Sequence, residues 1–141
     1  MMKKYLLLFL FLTELLSASQ IEYELKIYQT IFQALFPGKN VVYVWSDSQT
    51  TNRIFTKTKD IQLVTAPAQA DILLLGTGEN ASNLNGLKFA TNYKTFKKYK
   101  KSLIGGFYWQ KGRPNIIFIK RNLEKYHITL PKSMSEYIED Y

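Results

Sequence analysis

Short, continuous apolar runs most constrain what this chain can fold into. Such runs occupy residues 41–45, 72–75 and 116–119, and mostly polar segments separate them. A strand that is apolar at every position is buried on both of its faces, whereas a half-exposed strand alternates apolar and polar residues. The rest of the chain must therefore supply elements that cover both faces of a sheet.

The covering elements are predicted from the segments between the runs. Apolar residues recur at helical spacing between positions 21 and 35, and Pro37 and Gly38 end that pattern. Strands 103–109 and 115–120 form a β-hairpin, because the linker between them is short and contains glycine. The order of elements predicts an α/β fold, a single compact domain in which a mixed sheet is covered by helices. The predicted helices are 21–35, 93–101, 121–126 and 132–139, and the other predicted strands are 41–45, 61–64, 71–75 and 87–91.

The residue counts exclude most common catalytic designs. The 141 residues include no cysteine and a single histidine, so disulfides, thiol nucleophiles and multi-histidine metal sites are ruled out. That histidine, His127, ends a predicted helix, where a cationic side chain is mildly stabilising. The acidic residues are scattered singly, without a calcium-loop pattern. We therefore expect no catalytic residues, no metal site, no cofactor and no enzymatic activity.

The first nineteen residues have the three parts of a secretory signal peptide. Lys3 and Lys4 precede an apolar run too short to span a bilayer, and the small residues Ser17, Ala18 and Ser19 follow it. We predict cleavage after Ser19, which leaves residues 20–141 as one periplasmic domain. The alternative is that the segment stays attached as an N-terminal membrane anchor.

Basic residues dominate the mature chain and are concentrated in its second half. Residues 20–141 carry 17 basic and 10 acidic side chains, and Glu124 is the one acid between Lys88 and Lys125. In the cytoplasm such a charge would suggest nucleic acid. Export instead favours an acidic protein surface or an anionic membrane surface as the counterpart, so we expect no nucleic-acid partner.

The densest basic patch is a lysine-rich predicted helix, and an aromatic strand follows it. Strand geometry puts Tyr108 on one face of the sheet and Phe107 and Trp109 on the other. We predict that the lysines steer docking onto an acidic partner and that exposed aromatic residues anchor it. The alternatives are a solvated helix face and a strand buried on both faces. The predicted partner-binding residues are Lys97, Lys98, Lys100, Lys101, Phe107, Tyr108 and Trp109.

A glycine-rich loop follows the predicted strand 71–75. Gly76, Thr77 and Gly78 lie where an α/β sheet usually keeps its ligand, and free backbone N–H groups there could hold an anion. The loop matches neither common phosphate-binding glycine motif, and Glu79 would repel phosphate. A turn without any ligand is therefore the alternative.

Several short segments in the second half of the chain follow one another in a distinctive order. They are Ala70-Asp71-Ile72-Leu73-Leu74, Phe89-Ala90-Thr91, Gly105-Gly106-Phe107, Gly112-Arg113, Ile116-Ile117-Phe118-Ile119, Ile128-Thr129-Leu130 and Ser133-Met134. Their order over residues 70–134 resembles the YfiR-like family of small periplasmic proteins. The chain departs from the family pattern at Ile119-Lys120, where members carry Ile-Asn, and at His127, where members often carry glycine. It also lacks the cysteines on which redox-sensitive members depend.

The resemblance implies both a fold and a function. The implied fold is a YfiR-like α/β sandwich. The implied function is that of an exported, non-enzymatic regulator, which binds and restrains an inner-membrane signalling protein such as a diguanylate cyclase or a sensor kinase. The alternative function is a periplasmic protein that binds a solute or anion at Gly76, Thr77 and Gly78. A second copy of the chain and an anionic membrane surface are alternative partners.

Overall fold

A seven-stranded mixed sheet forms the centre of the computed structural model, which describes the backbone of residues 2–141 and the side chains of residues 18–141. The strands are β1 (Val42–Ser46), β2 (Ile61–Leu63), β3 (Ile72–Leu75), β4 (Lys88–Ala90), β5 (Gly105–Gln110), β6 (Arg113–Ile119) and β7 (Ile138–Glu139). The α-helices are α1 (Met2–Leu35), α2 (Gln49–Asn52), α3 (Tyr93–Tyr99) and α4 (Lys120–Lys125). Short 3-10 helices occupy Arg53–Phe55, Pro67–Gln69, Ala81–Asn83 and Lys132–Tyr137.

The strand order places a reversal of winding direction between β1 and β3. The parallel strands lie in the order β2-β1-β3-β4-β5, so the chain passes from β1 to one neighbour and then continues on the other side. β6 is antiparallel to β5, and β7 is parallel to β6. Open α/β sheets bind ligands beyond the carboxyl ends of the strands at such a reversal, so the ends of β1 and β3 define a candidate site.

The sheet is covered on both faces, as the continuous apolar runs predict. Along β3, Ile72 and Leu74 join the core cluster that contains α1, and Leu73 and Leu75 join the cluster that contains α3. All four side chains are at most 1% exposed. The predicted fold class, a single α/β domain with a mixed sheet covered by helices, is confirmed.

The N-terminal helix is longer than predicted. α1 begins at Met2 and not near residue 21, so the predicted cleavage point after Ser19 falls inside one continuous helical backbone. The signal-peptide prediction rests on side chains that, up to residue 17, lie outside the described residues, and it stays a prediction. Across residues 18–141, no helix combines the length and apolar character needed to cross a membrane.

The prediction of a helix over residues 132–139 is wrong. Residues 132–137 form a 3-10 helix, and Ile138 then pairs with Phe118 as β7 adds to the sheet beside β6. Met134 and Ile138 are four residues apart, which fits a helical face, but the unpaired backbone of β6 offers a better partner than a short isolated helix.

The hairpin between β5 and β6 is also tighter than predicted, because Lys111 and Gly112 both have positive φ angles (53° and 74°) and form a two-residue turn.

The end of α4 is closed by a Schellman motif with His127 in the left-handed position. The His127 N–H donates to the Glu124 carbonyl at 3.1 Å, and the Ile128 N–H donates to the Leu123 carbonyl at 2.9 Å. The φ angle of His127 is +56°, a conformation that glycine adopts without steric cost. His127 therefore lies at the helix end, as the sequence indicates, but its backbone forms the cap.

We expect His127→Gly to raise the free energy of unfolding by about 0.5–1 kcal/mol, because glycine relieves the left-handed strain. His127→Ala is the matched control, since it removes the side chain and keeps the strain. Urea denaturation of the two variants beside the parent protein measures the difference. Equal stability of the glycine and alanine variants would show that the backbone conformation is not the cause.

Candidate functional site

The glycine-rich loop after β3 holds an anion, and that anion is a side chain of the same protein. Asp47 follows β1, and its carboxylate accepts hydrogen bonds from the N–H groups of Gly76 at 2.5 Å and Gly78 at 2.9 Å. Thr77 donates both its N–H, at 3.3 Å, and its hydroxyl, at 3.1 Å. The prediction of Gly76, Thr77 and Gly78 as an open anion loop is therefore corrected: Asp47 already occupies their donors.

The same loop is joined to α3. The Gly76 carbonyl accepts hydrogen bonds from the Asn92 amide and the Thr95 hydroxyl, each at 2.5 Å. Gly78 has a φ of +67°, and a Cβ there would come within 2.6 Å of the Tyr99 ring, so glycine is needed both for conformation and for space. The ends of β1 and β3 and the start of α3 are thus held together by one hydrogen-bonded joint.

A cavity of about 270 Å³ adjoins this joint at the reversal between β1 and β3. Its wall combines apolar side chains with the carboxylates of Asp47 and Glu79. These carboxylates oppose the entry of an anionic ligand, which is the ligand class that the sequence suggested for this place. The lining residues are Trp45, Asp47, Leu75, Thr77, Gly78, Glu79, Asn80, Ala81 and Leu84.

Two other scattered carboxylates also make internal contacts. Asp60 accepts hydrogen bonds from the Gln29 amide at 3.1 Å and from the Thr58 hydroxyl. The Asp71 carboxylate accepts hydrogen bonds from the Lys39 ammonium at 2.6 Å and from the Tyr43 N–H at 2.8 Å. Among the residues with described side chains, no three acids or histidines converge where a metal could be held.

The lysines predicted to bind a partner lie on or just after α3. This helix is capped by Asn92, whose side chain accepts the Thr95 N–H at 2.9 Å, and it turns Phe96 towards the sheet. Lys97, Lys98 and Lys101 are exposed and Lys100 is half-buried. Within the described part of the chain, ion pairs join only Lys39 to Asp71 and Lys120 to Asp140, so these four lysines have no acidic partner.

Two of the three predicted aromatic partner residues are core residues. Phe107 is 2% exposed and packs edge-on against Tyr28, with ring centroids 5.2 Å apart. Tyr108 is 8% exposed and packs against Tyr93 and Phe96. Burial, with Tyr141 and Tyr93 nearby, raises the pKa of the Tyr108 hydroxyl. The prediction of Phe107 and Tyr108 as partner-binding residues is corrected, because helices cover both faces of β5.

Trp109 is exposed but lies on the other side of the sheet from the lysines. Its indole N–H donates to the Glu24 carboxylate at 2.7 Å, and its ring lies 6.0 Å from that of Tyr23. Both partners belong to α1, whereas the lysines lie on or just after α3. The sheet therefore separates Trp109 from the four predicted lysines.

Two exposed tyrosines outside the predicted partner-binding residues lie beside the lysines. Tyr93 is 42% exposed and Tyr141 is 51% exposed. The Lys100 ammonium lies 5.0 Å from the centre of the Tyr141 ring, and that ring is 6.3 Å from Phe96. Tyr93 starts the lysine-rich helix and was visible in the pattern, but no local pattern places the C-terminal Tyr141 near it. We call this surface the lysine–tyrosine face, and it consists of Tyr93, Lys97, Lys98, Lys100, Lys101 and Tyr141.

No family model, curated protein or solved structure matches this chain significantly. What the protein does is therefore inferred from its own surfaces and cavities. The lysine–tyrosine face combines four lysines without acidic partners with two exposed tyrosines, and it is the candidate site for a partner.

Proposed function

We propose that this chain is a non-enzymatic regulatory protein of the periplasm, which binds and restrains an inner-membrane signalling protein such as a diguanylate cyclase or a sensor kinase. The observation that carries the proposal is the lysine–tyrosine face, where four lysines without acidic partners follow the exposed Tyr93 along the chain and Lys100 contacts the exposed Tyr141. The resemblance to the YfiR-like family supports the same class of function.

The composition of this face suits an acidic protein surface. The helix dipole favours Lys97 and Lys98 in the last turn of α3, but four neighbouring lysines without counter-ions also repel one another. An acidic partner would supply the missing charges, and rim charges of this kind mainly raise the rate of association. Tyr93 and Tyr141 take the anchoring role expected of exposed aromatic residues, which often dominate binding energy.

The placement of the carboxylates supports a function without catalysis. Asp47, Asp60 and Asp71 all accept hydrogen bonds from donors of the same chain. Glycoside hydrolysis, the common two-carboxylate reaction, needs two acids on either side of a substrate cleft. Asp47, Asp60 and Asp71 serve loop and helix contacts instead.

The test is charge reversal of the lysine–tyrosine face. We expect the variant with four substitutions to associate with the membrane partner about tenfold more slowly, or slower still, at low salt. The substitutions change Lys97, Lys98, Lys100 and Lys101 to Glu. The salt dependence of association should weaken at the same time, because exposed charges act through a screened field. The partner is captured with the tagged protein from detergent-solubilised membranes, and association is followed by surface plasmon resonance.

A matched control separates this face from net charge alone. Lys26, Lys57, Lys59 and Lys132 are exposed elsewhere, and their reversal to Glu changes the net charge equally. The control should slow association much less than the α3 variant. Equal association kinetics for the two variants would show that the α3 lysines only face solvent and do not steer binding. Failure to capture any signalling protein would contradict the proposed function.

A further inference from the structure

A second basic cluster surrounds a cavity at the opposite edge of the sheet from Asp47. Lys88 begins β4 and Lys101 precedes β5, so both lie at the amino ends of parallel strands. The cavity has a volume of about 250 Å³. Its lining residues are Ser82, Leu84, Asn85, Gly86, Lys88, Lys101, Ser102, Asn122, Lys125 and Tyr126.

The charge of this cavity is entirely positive. Lys88, Lys101 and Lys125 line it, and no Asp or Glu does. None of the three forms an ion pair with any residue whose side chain is described. Burial and the nearby charge of Lys125 lower the pKa of Lys88, as expected where ammonium groups converge without a counter-ion.

The walls of the cavity are held in place by buried and cross-chain contacts. Asn122 is 5% exposed, and its amide donates to the carbonyls of Lys101 at 3.1 Å and Leu103 at 2.6 Å. This contact fixes the segment that carries Lys101. On the other side, the Tyr126 hydroxyl donates to the Gly86 carbonyl at 3.4 Å, and the Lys125 ammonium lies 5.8 Å from the Tyr126 ring centre.

We propose that this cavity binds a small multivalent oxyanion of the phosphate class, either free phosphate, a soluble phosphomonoester or a lipid phosphate headgroup. Three lysines supply the positive charge, and the side chains of Ser82 and Asn85 add neutral hydrogen-bonding groups. The volume lies just below the usual range of ligand pockets, which limits the ligand to a small group. The site shares Lys101 with the lysine–tyrosine face, but it needs no protein partner, and its test changes only Lys88 and Lys125.

The experiment uses the full chain, kept in a nonionic detergent for the soluble probes and transferred to detergent-free buffer for the vesicles, which detergent would dissolve. Inorganic phosphate and glycerol 3-phosphate are titrated by calorimetry, with chloride at equal ionic strength as the blank. Binding to phosphatidylglycerol and phosphatidylcholine vesicles is measured beside them. We expect saturable binding of a phosphate probe that weakens about tenfold or more in Lys88→Gln and in Lys125→Gln. The matched control is Lys57→Gln with Lys59→Gln, which should bind as the parent does.

A thermal melt of each variant keeps loss of binding distinct from loss of folding. Removing Lys88 or Lys125 relieves repulsion, so we expect the melting temperature without phosphate to be unchanged or higher. The rise in melting temperature with phosphate should be lost. If Lys88→Gln fails to fold, the exposed Lys125→Gln decides the result alone.

The pattern of binding identifies the source of the phosphate. Binding of the soluble probes assigns the site to a free anion, and lysine-dependent binding of phosphatidylglycerol vesicles alone assigns it to a headgroup. Absence of saturable binding to every phosphate probe would overturn the proposal, and so would phosphate binding by both glutamine variants as tight as that of the parent protein. Neither result bears on the lysine–tyrosine face, where the test is association with a protein.

Discussion

Replacing Asp47 with alanine is expected to lower the free energy of unfolding by about 3–5 kcal/mol. The Asp47 carboxylate accepts three backbone N–H groups and one hydroxyl from Gly76, Thr77 and Gly78. Its removal leaves these donors without their partner at the junction of β1 and β3. The loss also loosens the loop whose Gly76 carbonyl holds the start of α3.

Equilibrium denaturation in urea measures the effect. Two other variants are measured for comparison. Asp47→Asn keeps an acceptor oxygen and loses the charge, so we expect roughly half the loss. Asp140→Ala is the matched control, because Asp140 is exposed and its one ion-pair contact, with Lys120, is 3.9 Å long. If Asp47→Ala is as stable as Asp140→Ala, water replaces the carboxylate without cost and the joint contributes little.

Replacing Gly105 with alanine is expected to destabilise the domain by about 3 kcal/mol or more, or to prevent folding. A Cβ at this position would overlap the carbonyl oxygen of Ile117 on the neighbouring strand β6. Backbone cannot move aside as a side chain can, so the β5–β6 pairing must open. Because β5 is covered on both faces, the disturbance reaches the core on each side of the sheet.

The other glycines of the hairpin provide graded controls. At Gly106 a Cβ would contact the Phe96 ring at 3.1 Å and the Ala90 Cβ at 3.3 Å, so Gly106→Ala should cost less. At Gly112 nothing lies within 4 Å, and only the positive φ of +74° opposes alanine, at about 1 kcal/mol. Thermal melts of the three variants should rank Gly105, Gly106 and Gly112 in decreasing order of damage. If Gly105→Ala melted at the same temperature as Gly112→Ala, the predicted overlap of the Cβ with the β6 backbone would be refuted.

Local pattern was a reliable guide to the covered sheet. The runs at β1, β3 and β6 are apolar at nearly every position, and a sheet packed on both faces buries most of these side chains, with Tyr43 of β1 left 38% exposed. The same reasoning failed for residues 132–139, where Met134 and Ile138 fit a helical face. Whether Ile138 completes a helix or a strand depends on the free edge of β6, which lies far away in the sequence.

The candidate sites depend on contacts between distant residues more heavily than the sheet does. The glycine loop was recognised as an anion-binding backbone, and the structure places the Asp47 carboxylate in it, 29 residues earlier in the chain. The lysines of α3 were recognised from their density. Their separation from Trp109, and the presence of Tyr141 beside them, follow from the sheet that lies between α1 and α3.

By itself, the sequence determined the fold class and the positions of most strands, because apolar periodicity reports how many faces of an element are buried. It also determined the basic character of the second half and excluded cysteine chemistry. Tertiary structure alone decided which donors are free, which lysines converge around a cavity and which aromatic side chains reach solvent. Those properties depend on strand order, which brings together groups that are tens of residues apart and that no local pattern connects.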